Sequence, residues 1–184
     1  MRYEIASKWS MIEHFVITDD SGTPRFDVRG NLGLTQRLSL LDQSGQPLAE
    51  IKKHMMSTRH EILVGGRSVA EVHHEGFFGE HYEIDSQYGR ISAKGDFSGW
   101  NYTIHQQGQP IATVSRELAL REKFLVDIFD NVNDAFILAV VLAIDAIHDE
   151  RRQGNDGGMF GGNFGGNFGV GGGGLGGLLG GNFP

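Results

Sequence analysis

Residues 130–152 read DNVNDAFILAVVLAIDAIHDERR, and the ten residues Ala135–Ile144 at their centre carry no polar side chain. Ten residues make a helix about 15 Å long. A bilayer core needs about 20 apolar residues, and extending the run to 132–147 takes in Asn133, Asp134 and Asp145. A single membrane pass is therefore disfavoured. A helix lying on a membrane has one apolar and one charged face. This run is apolar all round, as expected of a helix enclosed by protein.

The ends of the helix, expected over about 131–151, are marked by charge. Asp127, Asp130 and Asp134 sit at or near its start, where carboxylates meet the positive end of the dipole, and His148, Arg151 and Arg152 sit at the negative end. Asp130 or Asn131 is expected to cap the start, and Gly154 to end it. Ala135, Ala139 and Ala143 recur every four residues, a small-residue stripe along which a neighbouring backbone comes close.

The preceding 129 residues supply an envelope for this helix. They repeat a unit of apolar strand, tight polar turn with glycine, and apolar strand: FVITDDSGTPRFDV (15–28), LSLLDQSGQPLAEI (38–51), EILVGGRSVAEV (61–72) and YTIHQQGQPIATV (102–114), with HYEIDSQYGRISAKG (81–95) as a looser copy. Glycine permits the positive φ that hairpin turns require. Alternation between the turns is strand-like: in KFLVDIFD, Phe124, Val126 and Ile128 share one face, and Leu125, Asp127 and Phe129 the other. The pattern predicts about twelve strands, near 2–6, 12–18, 24–30, 35–42, 47–54, 60–64, 67–74, 80–86, 88–94, 100–107, 109–117 and 122–129. The predicted fold is mainly β: a closed antiparallel barrel around the central hydrophobic C-terminal helix. Closure removes the sheet edges, and the helix fills a lumen too wide for side chains alone.

The order of hairpins, the DxSGxP-type turns, YEIASKWSMIEHFVITDDSG and KFLVDIFDNVNDAFILAVVLAIDAIHDE together resemble the LURP-one-related family over roughly residues 2–150. That resemblance implies the tubby C-terminal-like fold, shared with tubby proteins and phospholipid scramblases, in which twelve strands surround a hydrophobic C-terminal helix. It implies no catalytic motif.

The domain is expected to span 1–153 and the glycine-rich tail 154–184. The tail holds 16 of the 28 glycines and a single charged residue, Asp156. GGMF (157–160) and GGNF at 161–164, 165–168 and 180–183 form a four-residue repeat, broken by VGGGGLGGLL. Glycine loses the most entropy on ordering. Flexible linkers usually mix it with serine or charge. Here the spaced apolar residues are Met159, Phe160, Phe164, Phe168, Val170, Leu175, Leu178, Leu179 and Phe183. Of these, Phe160, Phe164, Phe168, Leu175, Leu178, Leu179 and Phe183 are the candidate self-association residues, and the expected partner is a second copy of the chain.

The net charge of −7 argues against a broad grip on nucleic acid. The absence of cysteine removes disulfides, thiolate metal sites and a cysteine nucleophile. The first fifteen residues hold no apolar stretch of signal-peptide length, so a cytoplasmic location is expected. No GxSxG, P-loop, HExxH or dinucleotide fingerprint is present, and the chain is read as a non-enzyme without a cofactor. His73 and His74 are adjacent on a predicted strand, point to opposite faces and cannot chelate together. His14, His54, His60, His81 and His105 are scattered among strands and read as surface or satisfied histidines.

Three clusters remain. Asp127, Asp130 and Asp134 place oxygen ligands near the helix start, where the resemblance to scramblases offers calcium as the alternative; the EF-hand pattern is missing, and capping already accounts for them. Asp134 and Asp145 share a helix face about 16 Å apart, too far for paired acid–base chemistry on one bond; Asp145 is read as structural. Lys52, Lys53, Arg116, Arg121 and Lys123 gather at strand ends. By the resemblance to tubby proteins they are candidates for phosphoinositide-like headgroups on an anionic membrane surface, against the reading of solvated strand-end charges. The function read from the sequence is a non-enzymatic binding or structural module that self-associates through the tail. Anionic-lipid binding is the alternative, and scramblase-like activity comes third.

Overall fold

The computed structural model describes residues 1–6, 14–32, 36–53, 59–75, 81–117, 123–129 and 132–157. Twelve strands precede one helix: β1 (Arg2–Ala6), β2 (His14–Asp19), β3 (Pro24–Leu32), β4 (Gln36–Leu41), β5 (Pro47–Lys53), β6 (His60–Val64), β7 (Arg67–His74), β8 (His81–Ser86), β9 (Gly89–Asp96), β10 (Asn101–Gln106), β11 (Gln109–Glu117), β12 (Lys123–Ile128) and α1 (Asp134–Gly157). Every strand pairs antiparallel with its sequence neighbours, and β1 pairs with β12, so the sheet closes into an up-and-down barrel. The strand ranges follow the sequence pattern to within a residue or two.

Alternation sets what faces inward. Ile17, Val28, Ile51, Ile62, Val72, Ile84, Ile104, Val114 and Val126 are each 0–1% exposed, one near the middle of each of nine strands. β-branched side chains suit a pleated, buried face. Against them packs α1, whose residues Phe136–Ile147 are all buried, Asp145 included. The helix that is apolar on every side is thus enclosed on every side. Among the described residues no helix is long and apolar enough to cross a membrane.

Closure is specified on the outer face of the β1·β12 seam. Arg2 stands opposite Asp127 and donates to both carboxylate oxygens at 2.7 and 2.9 Å. Lys123 donates to Glu4 at 2.5 Å. The Met1 amine continues the ladder to the Ile128 carbonyl at 2.6 Å. Exposed pairs of this kind contribute about 0–1 kcal/mol each, but a slipped register would set them against wrong partners.

Two repeated turns show the local chemistry. Asp19 accepts from the Ser21 and Thr23 amides and the Ser21 hydroxyl, at 3.0, 2.9 and 2.6 Å. Asp42 accepts from the Ser44 and Gln46 amides and the Ser44 hydroxyl at 2.8, 2.9 and 2.6 Å. Between β6 and β7, Gly65 and Gly66 both have positive φ, 57° and 76°, the geometry of a tight hairpin turn.

The helix ends differ from expectation. The cap is Asn133, whose Oδ1 accepts the Phe136 amide at 2.9 Å. Asp130 and Asn131 lie outside the described residues. Asp127 belongs to the barrel wall and its carboxylate is held by Arg2, so it does not serve the helix dipole. Gly154 lies inside α1, which continues to Gly157; one glycine costs a helix only about 1 kcal/mol. His148, Arg151 and Arg152 therefore sit before the last turn, which holds no basic residue.

Candidate functional site

The barrel has two unlike mouths. At the first, short turns join β2–β3, β4–β5, β6–β7, β8–β9 and β10–β11, and α1 begins. Tyr3 Oη donates to Asp134 Oδ2 at 2.5 Å, tying β1 to the first turn of α1. Burial and the adjacent Asp134 carboxylate both push the Tyr3 hydroxyl pKa upward. Beside the helix start, Tyr88, Ile91, Gln106, Ile111, Val132 and Phe136 line a cleft of about 180 Å³. Pockets for drug-sized ligands usually measure about 300–1,000 Å³.

The second mouth holds the C-terminal half of α1 and more buried polarity. Lys53 continues the inward row Ala49–Ile51–Lys53, and its Nζ lies 2.8 Å from Glu150 Oε1 on α1. His60, wholly buried on β6, stands opposite Lys53 with Nε2 3.6 Å from the same oxygen. Burial raises the Glu150 pKa, but His60 and Lys53 outweigh it and hold the carboxyl below its usual value. Deeper in, Asp145 is 4% exposed. Tyr102 Oη is buried without a hydrogen-bond partner among the described residues. Burial first, and the Asp145 charge second, push its pKa well up. An aromatic layer finishes this mouth: Tyr82 on Phe97 (4.7 Å between centroids), Phe97 on Tyr102 (4.5 Å) and Trp100 on Phe124 (3.7 Å).

On the outer wall near the second mouth lies a different cluster. Val72, Tyr82 and Ile84 face inward, so alternation turns His73, Glu75, His81 and Glu83 outward. His73 stands opposite Glu83. The Glu75 amide donates to the His81 carbonyl at 3.0 Å, which sets these two opposite each other. One carboxylate oxygen each of Glu75 and Glu83 and a ring nitrogen of His81 lie within 4.8 Å of one another.

Residues 1–145 match the sequence pattern described as LURP-one-related. The chain belongs to the LURP-one-related family. The barrel is also similar to the X-ray structure of a protein from Arabidopsis thaliana, with a TM-score of 0.63 and 21% identity, covering 80% of this chain and 91% of that one. At that identity the likeness speaks for the fold. No curated protein matches the chain.

Within this LURP-one-related barrel the cations read from the sequence do not form one patch. Adjacent strand residues point to opposite faces. Lys52 is therefore on the outer wall, between Arg37 of β4 and Glu61 of β6, while Lys53 points inward to Glu150. Lys123 is engaged by Glu4. Arg116 is exposed near the end of β11, opposite Phe124, and Arg121 lies outside the described residues. Nor do the acidic residues converge: Asp127 is bound by Arg2 outside the wall, Asp134 by Tyr3 at the first mouth, and Asp130 is outside the described residues. Phe160, Phe164, Phe168, Leu175, Leu178, Leu179 and Phe183 lie outside them as well.

Two groupings were missed in the sequence. Lys53–His60–Glu150 joins residues some 90 positions apart, and only the inward parity of both strands could have hinted at it. The outer cluster was legible: His73-His74-Glu75 and His81-Tyr82-Glu83 are two H-x-E triplets flanking one hairpin connection. With period-two alternation their donors fall on one face.

Proposed function

We propose that this protein is a non-enzymatic binding module whose Gly/Phe/Asn tail mediates self-association. The observation that carries the first half is the filled lumen. Phe136–Ile147 are buried along the barrel axis, so a ligand cannot be taken inside without expelling the helix. The wall, the mouths and the chain beyond α1 then do the work. The second half rests on the tail's composition: phenylalanine and leucine spaced on glycine, with asparagine offering side-chain hydrogen bonds and almost no charge to keep copies apart. Because α1 extends to Gly157, a chain ending there keeps every described element.

Light scattering of the full chain and of the chain ended at Gly157, over a wide concentration range, tests this. The full chain should show a mass that rises with concentration, and the shortened chain should stay monomeric. Equal masses at all concentrations would remove the tail's role. The alternative, binding of anionic phosphoinositide-like headgroups, has less behind it, because Lys53 and Lys123 already neutralise Glu150 and Glu4. Scramblase-like activity has least, since it draws only on kinship of fold.

A further inference from the structure

We propose that His73, Glu75, His81 and Glu83, on the outer face of β7 and β8, bind a divalent transition-metal ion of the zinc class. The four side chains form a two-by-two square, with His73 opposite Glu83 and Glu75 opposite His81. On each side a histidine and a glutamate are two positions apart, Glu75 lying just past the end of β7, so every corner has a neighbour of the other kind. His81 Nε2 already contacts Glu83 Oε1. His73 Nε2 lies 3.6 Å from Glu75 Oε1, and its Nδ1 is buried with no hydrogen-bond partner among the described residues.

The donor set selects the ion. Two imidazoles and two carboxylates suit tetrahedral zinc, with bonds of about 2.0–2.2 Å and donors about 3.4 Å apart. Glu75, His81 and Glu83 already hold donors within 4.8 Å of one another, and His73, 3.6 Å from Glu75, is the fourth ligand that has to turn in beside them. Calcium and magnesium want six or more oxygen ligands, whereas imidazole nitrogen favours the later first-row dications.

The surrounding charges nearly balance, since Glu61 also faces Lys52, so the cluster's own two carboxylates supply the attraction for a cation. Glu71 stands opposite both Glu61 on β6 and Asp85 on β8, next along the same face. Like charges directly opposite each other destabilise a sheet. Arg59 is bound to Glu71 at 2.6 Å and Arg90 stands opposite Asp85, so these cations have acids of their own. Lys94 of β9, exposed and opposite His81, is the remaining flanking cation among the described residues.

The test is titration of the metal-stripped full-length chain with Zn²⁺ by calorimetry, beside His81→Ala, Glu83→Gln and Lys94→Gln. One ion per chain should bind. Loss of a ligand should weaken that site at least about tenfold, while Lys94→Gln should tighten it, because a positive charge beside the dication is removed. A merely structural role for the cluster predicts no change from Lys94→Gln. Melting temperatures without metal should match the wild type. If His81→Ala does not fold, Glu83→Gln, which keeps the side chain's shape, decides. The proposal is overturned if the wild type takes up no zinc, or if zinc binds Glu83→Gln with wild-type affinity, which would place the ion on other histidines.

Discussion

Replacing Leu138 by alanine tests the enclosure of α1 most directly. Leu138 is 0% exposed, two residues inside the N-terminal end of the buried stretch Phe136–Ile147. The substitution removes three carbons, about 2 kcal/mol of transfer free energy. The remaining cost depends on how far the site collapses. Here collapse is restricted, because the wall around the helix is a hydrogen-bonded ring that cannot shorten without breaking a ladder. The loss should therefore fall in the upper half of the range for such changes, about 4 kcal/mol. For a domain of this size that lowers Tm by about 8–16 °C. Urea titration followed by far-ultraviolet circular dichroism should show the midpoint moving with the slope unchanged. A loss below about 1 kcal/mol would mean that the helix is not surrounded as described.

Gly95→Ala should destabilise by about 3 kcal/mol. Its φ is +144°, and an added Cβ would lie 2.5 Å from the Asn101 carbonyl oxygen and 2.6 Å from Tyr102 Cα, both backbone atoms of β10; a wild-type melting temperature would contradict this. Acid should weaken the fold through the repeated turns. The hydroxyls of Ser21 and Ser44 chiefly hold the Asp19 and Asp42 carboxyls below their usual pKa. Their stabilising effect is thus complete above the unfolded value of about 3.9 and is lost as pH falls through the lower folded values. Urea midpoints between about pH 5 and pH 2 should fall, and Asp42→Asn should flatten the slope; an unchanged slope would assign acid sensitivity to other carboxyls.

The strands and the enclosed helix were legible because burial on one face imposes a period of two, and burial on all faces imposes none. KFLVDI shows the first and Phe136–Ile147 the second. The helix ends were harder. Several residues near 130 have capping chemistry, and only the path of the chain leaving β12 selects Asn133. Site residues were least legible. Lys52 and Lys53 look like one basic patch in sequence, but the pleat separates them onto opposite faces. Glu150 meets Lys53 only because α1 lies inside the ring. The two H-x-E triplets also went unread, although strand alternation with the β7–β8 register is enough to join them.

The helix that fills this barrel is also its last element to be synthesised. Until residues 136–147 have left the ribosome, the inward side chains of β2 to β12, Ile17 and Ile104 among them, have no filling to pack against. Pairing β1 with β12 before that moment would seal an empty lumen. The first strand made must therefore wait, with one edge open, for the last. Closure and filling are then expected as a single late event, and any sheet formed earlier would show an uncovered apolar face.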